Sequence, residues 1–172
     1  PPRWAKWATI VAMQISARHN YSASPDRILA MMADELWLTE VARRAGAAEW
    51  AASVDSAGSH MRAALPAPAR AQRFPGSTME IDLTISWNPL ADDGTSNGRI
   101  TVVTPGMPAS MGGTAHLVSE SGLSIVDYLA DFVITVPLLG RTLEQAAAPY
   151  VRRVIDIQQS VGNDYLAGRI IG

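Results

Sequence analysis

LGRTLEQAAAPYVRRVIDIQQSVGNDYL, residues 139–166, decides the fold. Its apolar residues Leu139, Leu143, Ala147, Tyr150, Val154, Ile157, Val161 and Tyr165 recur at steps of three or four, the period of a helix with one buried face. Arg141, Glu144, Gln145, Arg152, Arg153, Asp156, Gln158 and Gln159 fall between them, so the opposite face wants water. A helix this long needs a large apolar surface to lie on, and only the strand-rich middle of the chain offers one. Pro149 stands inside the run. It lacks an N–H, and its ring meets the carbonyl of Gln145, so the helix is expected to kink or break there, beside Tyr150.

Outward from this stretch the period changes to two. Val136-Pro137 ends a strand from Leu123 to Val136, which Ser121-Gly122 joins to Thr114–Ser119. Gly106 to Gly113, with its glycines and Pro108, reads as a loop. Asn88 to Gly98, containing Asp92-Asp93-Gly94, reads as a hairpin loop leading to Arg99–Thr104. Met79, Ile81, Leu83, Ile85 and Trp87 give the cleanest alternation, against Glu80, Asp82, Thr84 and Ser86, so one face is buried and the other wet. Prolines between Pro66 and Pro75 remove ladder donors and mark an irregular crossing loop. Trp50, Ala52 and Val54 alternate with Ala51, Ser53 and Asp55, and the turn residues 56–59 lead to His60–Leu65, a hairpin. Two short helices precede it. Ser24 and Pro25 open the first, with Ile28, Leu29 and Met32 as its apolar side; Glu35–Ala45 forms the second, stopped by Gly46. Gln14–Tyr21 is the opening strand, with Ile15, Ala17, His19 and Tyr21 on one side. The order is strand, two short helices, about six strands and a long helix. Hairpin connections dominate, which argues for an antiparallel α+β fold and against an alternating parallel sheet.

The chain has 172 residues, enough for one domain, which the pattern assigns to residues 13–172. Its 48% hydrophobic and 17% charged content sets disorder aside, and a net charge of −2 argues against a nucleic-acid surface. There is no cysteine, which excludes disulfides, thiol nucleophiles and Cys-ligated metal centres. The apolar run Trp7–Met13 falls short of the roughly 20 residues that span a bilayer, and no small-residue cleavage site follows it. A cytoplasmic protein without a membrane span is the expectation. Residues 1–12, with Pro1, Pro2, Trp4 and Trp7, break the pattern. They are either an extension before a natural start at Met13 or an arm packed on the body.

The opening strand running into Tyr21-Ser22-Ala23-Ser24-Pro25-Asp26-Arg27-Ile28, the helix pair, and the close Phe132-Val133-Ile134-Thr135-Val136-Pro137-Leu138-Leu139-Gly140 carry a resemblance. The chain resembles the SRPBCC superfamily of START and birch-pollen-allergen proteins, in wording an actinobacterial branch of it, over roughly residues 13 to 168. The resemblance implies a helix-grip fold: a curved antiparallel sheet of about seven strands around a long C-terminal helix. It also implies an apolar cavity between the two, whose mouth a break at Pro149 would open.

Chemistry-bearing motifs are sparse. His19, His60 and His116 lie on separate strands without a metal-ligand spacing. Asp127 and Asp131 share one side of the last strand, about 13 Å apart, too far to act as a carboxylate pair. Asp92-Asp93-Gly94 lacks the alternate acids and the closing Glu of a calcium loop, and reads as a turn. No Gly-x-Ser-x-Gly elbow or phosphate-binding Gly-Lys motif occurs, and Lys6 is the only lysine. Trp37, Trp50, Trp87, Met61, Met79 and Phe132 suit an adaptable apolar pocket or a plain core.

These readings converge on a binding or carrier protein for an apolar or lipid-like small molecule, with no cofactor and no metal. Its candidate ligand contacts are His19, Trp50, Met61, Met79, Ile81, Leu83, Ile85, Trp87, Tyr128, Phe132, Tyr150, Val154 and Ile157. One alternative is an enzyme like the polyketide cyclases and aromatases, to which the resembled superfamily also contributes, with His19, Tyr128 or Tyr150 in acid–base roles. Another is a protein-interaction module acting through the 66–75 and 106–113 segments.

Overall fold

A computed structural model describes residues 12–67 and 77–171. Strand β1 (Met13–Tyr21) leads into helices α1 (Pro25–Met32) and α2 (Glu35–Arg44). The hairpin β2 (Glu49–Asp55) and β3 (Gly58–Pro66) follows, then β4 (Thr78–Trp87), β5 (Ser96–Val103), β6 (Ala109–Glu120) and β7 (Leu123–Ile134). Helix α3 (Gly140–Leu166) closes the order. The strands form one seven-stranded sheet, β1-β7-β6-β5-β4-β3-β2, and every pairing is antiparallel. Sequence neighbours pair from β2 through to β7, while β1 joins β7, with Ala17 opposite Tyr128. This is the helix-grip α+β architecture. Among the described residues no helix is long and apolar enough to cross a membrane.

The core sits under α1 and α2, where Ile28, Met31, Met32, Trp37, Leu38 and Val41 are buried against Met61 and Leu65 of β3 and Leu117 of β6. Burying each large side chain is worth about 1.5–3 kcal/mol. Ser24 stands at the N-cap of α1 in extended backbone with Pro25 behind it, but makes no side-chain cap bond. Asp34 does cap α2, accepting from the Leu36 N–H at 2.8 Å. The same carboxylate accepts from the Tyr165 hydroxyl of α3. Arg44 donates to Glu40 and Asp164, each at 2.6 Å, adding a second clasp between α2 and α3. Tyr165→Phe removes one of two bonds to a solvent-reachable carboxylate. It is expected to cost about 1 kcal/mol, read as a melting point lower by roughly 2–4 °C.

Where α3 crosses β1, Gly162 sits directly on the Tyr21 ring; a Cβ there would lie 2.6 Å from Cε1. Pro149 does not break α3, which runs unbroken from Gly140 to Leu166. Pro149 and Gln145 both lie on the exposed side of the helix, so the carbonyl deprived of its helical partner is not sealed in the core.

Three other expectations change. Ala109–Gly113 is strand rather than loop, and Gly113 marks a close approach: a Cβ there would meet the Leu129 carbonyl oxygen at 2.3 Å and the Ala130 Cβ at 2.6 Å. At the start of α3 the wet and dry positions exchange. Leu138 and Leu139 are exposed, while Glu144 is only 4% exposed and its Oε1 accepts from the Ile134 N–H at 2.9 Å. The cause is the connection, which must tie the end of β7 to the first turns of the helix. Glu144→Leu leaves that N–H unpaired and is expected to cost about 1–3 kcal/mol, whereas Glu144→Gln keeps an acceptor and is expected to cost less than half as much. Finally, β2 is an exposed outer edge rather than a strand with one buried face. The proposed extension at residues 1–12 lies outside the described residues except for Ala12, as does the 68–76 part of the proline-rich crossing.

Candidate ligand cavity

Side chains on a strand alternate between faces, so β4 turns Met79, Ile81, Leu83 and Ile85 to one side. That side borders a cavity of about 800 Å³ between the sheet and α3. Met61 and Leu65 of β3, Ile100 and Val102 of β5, and Tyr128, Ala130, Phe132 and Ile134 of β7 extend the same wall. Helix α3 supplies the other wall through Leu143, Ala147, Tyr150 and Val154. The volume falls within the roughly 300–1,000 Å³ usual for small-molecule sites. Among the described residues, none that lines it is an Asp, Glu, Lys, Arg or His.

The polar atoms of the cavity fall into two groups. Thr104 is committed, its hydroxyl lying 2.7 Å from the Ala109 carbonyl that accepts from it. Ser110 and Gln145 are exposed at the rim, and Gln158 is half-buried on α3. The phenols are different. Among the described residues the buried Tyr150 hydroxyl has no hydrogen-bond partner, and none bonds the Tyr128 hydroxyl. Burial raises the pKa of both, well above the usual tyrosine value for Tyr128, so both stay protonated donors. Tyr128 is half-buried and borders the cavity.

Of the thirteen contacts expected from sequence, nine come together on this cavity: Met61, Met79, Ile81, Leu83, Ile85, Tyr128, Phe132, Tyr150 and Val154. Four do not. Trp50 lies exposed on β2, beyond β3. Trp87, at the end of β4, packs its ring over Gly98, where a Cβ would lie 2.9 Å from it. Ile157 is half-buried against the core rather than the cavity.

His19 faces elsewhere. It is 3% exposed and borders a polar cleft between β1 and α3, shared with Arg18, Arg152, Asp156 and Gln159. Its Nδ1 lies 3.1 Å from the Tyr21 hydroxyl, its ring meets Tyr128 edge-on at 4.9 Å between centroids, and its Nε2 has no partner. Burial pushes its pKa down to about 4, opposed by the Asp156 charge and the Ile155 carbonyl. So His19 backs the cavity wall through Tyr128 without lining the cavity.

The other histidines stay apart. His60 lies 3.1 Å from Asp55 and 3.3 Å from Thr84, and His116 lies 2.8 Å from Asn97. Asp127 takes two bonds from Arg18 on the outer face, at 2.7 and 2.9 Å. Asp93 closes a turn on Thr95, accepting from its N–H at 3.0 Å and its hydroxyl at 2.7 Å. Sequence reasoning missed Ile100, Val102 and Met111 as lining residues. The first two stand out of phase with Arg99 and Thr101 in a readable alternation, whereas Met111 is hidden by the glycines that follow it.

The family model described as "Protein of unknown function (DUF2505)" matches residues 16–166. No curated protein matches the chain. Among solved structures, TTHA0849 from Thermus thermophilus is similar at a TM-score of 0.64 and 13% identity, over 91% of this chain and 98% of that one. A START superfamily protein from Mycobacterium smegmatis is similar at 0.52 and 10%, over 86% and 94%. Norcoclaurine synthase from Thalictrum flavum, solved in complex with dopamine and hydroxybenzaldehyde, is similar at 0.54 and 12%, over 88% and 86%. Likeness at these identities is likeness of fold.

Proposed function

The chain belongs to the DUF2505 family, and on that premise we propose that it is a binding or carrier protein for an apolar or lipid-like small molecule. The observation that carries this reading is the cavity of about 800 Å³ between the sheet and α3, with no charged side chain among its described lining residues. An apolar molecule moving into it from water gains about 0.8 kcal/mol per buried CH₂, and no lining charge has to be stripped of water first. The norcoclaurine synthase complex lends support of a general kind, since it shows this fold in a protein that takes small aromatic molecules. In this proposal the protein works in the cytoplasm.

Native mass spectrometry of the protein purified from an actinobacterial host, with no lipid added, tests the reading. One small apolar adduct per chain is expected. A protein that emerges empty and also fails to take up the neutral fluorophore N-phenyl-1-naphthylamine would sink it.

A cyclase-like enzyme is the second reading, favoured by one contact, the neutral His19 ring against Tyr128. General acid–base work needs a group within reach of the substrate. The Nδ1 of His19 meets Tyr21 and its ring borders the polar cleft rather than the cavity, so binding is the better-supported function.

A further inference from the structure

Among the described residues the cavity offers a ligand no ion-pair partner and two hydroxyls without partners, one on each wall. Tyr128 projects from the sheet side and Tyr150 from α3. Resting on the binding reading above, we propose that the cavity selects neutral molecules whose hydroxyl or carbonyl oxygen meets these phenols, and rejects carboxylates on the same apolar skeleton.

Three observations carry this. First, a carboxylate drawn into the cavity would lose its water and find no Arg, Lys or His among the described lining residues to replace it. Second, a pure hydrocarbon would leave the buried Tyr150 hydroxyl without a partner and would offer none to the Tyr128 hydroxyl, which no described residue bonds. A ligand oxygen that accepts from either hydroxyl removes that penalty. Third, the other polar side chains bordering the cavity are placed differently. Thr104 already donates to backbone carbonyls, and Ser110 and Gln145 reach the solvent at the rim, which leaves only the half-buried Gln158 amide beside the two phenols among the described residues. Burial keeps both tyrosines protonated at ordinary pH, so they donate throughout the range in which a ligand carboxylate is charged.

A matched series tests selection separately from binding: decan-1-ol, 2-decanone, decane and decanoate at pH 8, each competing with N-phenyl-1-naphthylamine. The alcohol and the ketone are expected to compete about tenfold or more better than decane and decanoate. Tyr128→Phe and Tyr150→Phe should each bring decan-1-ol toward the affinity of decane while leaving decane unchanged. Neither substitution removes a bond in the empty protein, so the melting points should hold or rise. Decanoate or decane matching the alcohol in the wild type, or the tyrosine variants losing decane as well, would overturn the selection while leaving the binding function intact. If neither the fluorophore nor any member of the series binds, the binding reading itself falls and takes the selection with it.

Discussion

Ile81→Trp is expected to weaken N-phenyl-1-naphthylamine binding by at least about 100-fold while leaving the fold in place. Ile81 lies on β4 opposite Ala63 of β3 and turns its side chain to the cavity. An indole at this position takes space equivalent to roughly three or four methylenes of ligand, and at about 0.8 kcal/mol each their exclusion amounts to some 3 kcal/mol. Enlarging a residue in a packed core usually strains its neighbours, but here the added atoms grow into open volume. The melting point is therefore expected to hold or rise. Glu80→Trp, one residue earlier and on the outer face, is the control and should bind the fluorophore like the wild type. Unchanged affinity in a folded Ile81→Trp protein would mean that the fluorophore sits outside this cavity.

The cavity wall at Ile81 was readable because one strand's alternation assigns its faces without help from the rest of the chain. The same holds for α3, whose three-four spacing announced a buried stripe that Val154 and Val161 occupy. What failed were properties a segment does not carry within itself. Trp50 alternates like a core residue, yet β2 ends the sheet and Trp50 stays exposed on it. Glu144 has a polar residue's spacing, yet the chain leaving β7 brings it onto the Ile134 N–H and turns Leu139 outward. Gly112 and Gly113 look like a loop, while β7 requires Gly113 in a strand because its backbone passes too near for a side chain. His19 shares a strand face with Ala17, but Ala17 borders the cavity as well as the polar cleft, whereas His19 borders the cleft alone, under α3. Only the path of the helix across the sheet separates two residues that local periodicity treats alike.

That position under α3 gives His19 its own consequence: acidification from pH 6.5 toward 4 is expected to take about 3 kcal/mol from the native state. In the native state its pKa is lowered to about 4 by burial, against 6.5 for the unfolded chain. Between these values the unfolded state binds more protons, so stability rises with pH, is complete above about 6.5 and drains away as pH falls toward 4. Glu40 acts in a lower window. Its pKa is held down to about 2, chiefly by its bond to Arg43, so its stabilisation is lost only as pH falls below the 4.5 of the unfolded group. Denaturant unfolding at pH 7, 5.5 and 4.5 should therefore show a loss in the upper window that His19→Gln abolishes, even if that variant starts less stable for want of the bond to Tyr21. The ring of His19 backs Tyr128, a cavity wall, so the fluorophore should be released over the same pH interval. A wild-type stability that stays flat from pH 6.5 to 4.5, or a His19→Gln protein that keeps the slope, would show that the imidazole reaches water in the native state and that the wall does not depend on its neutrality.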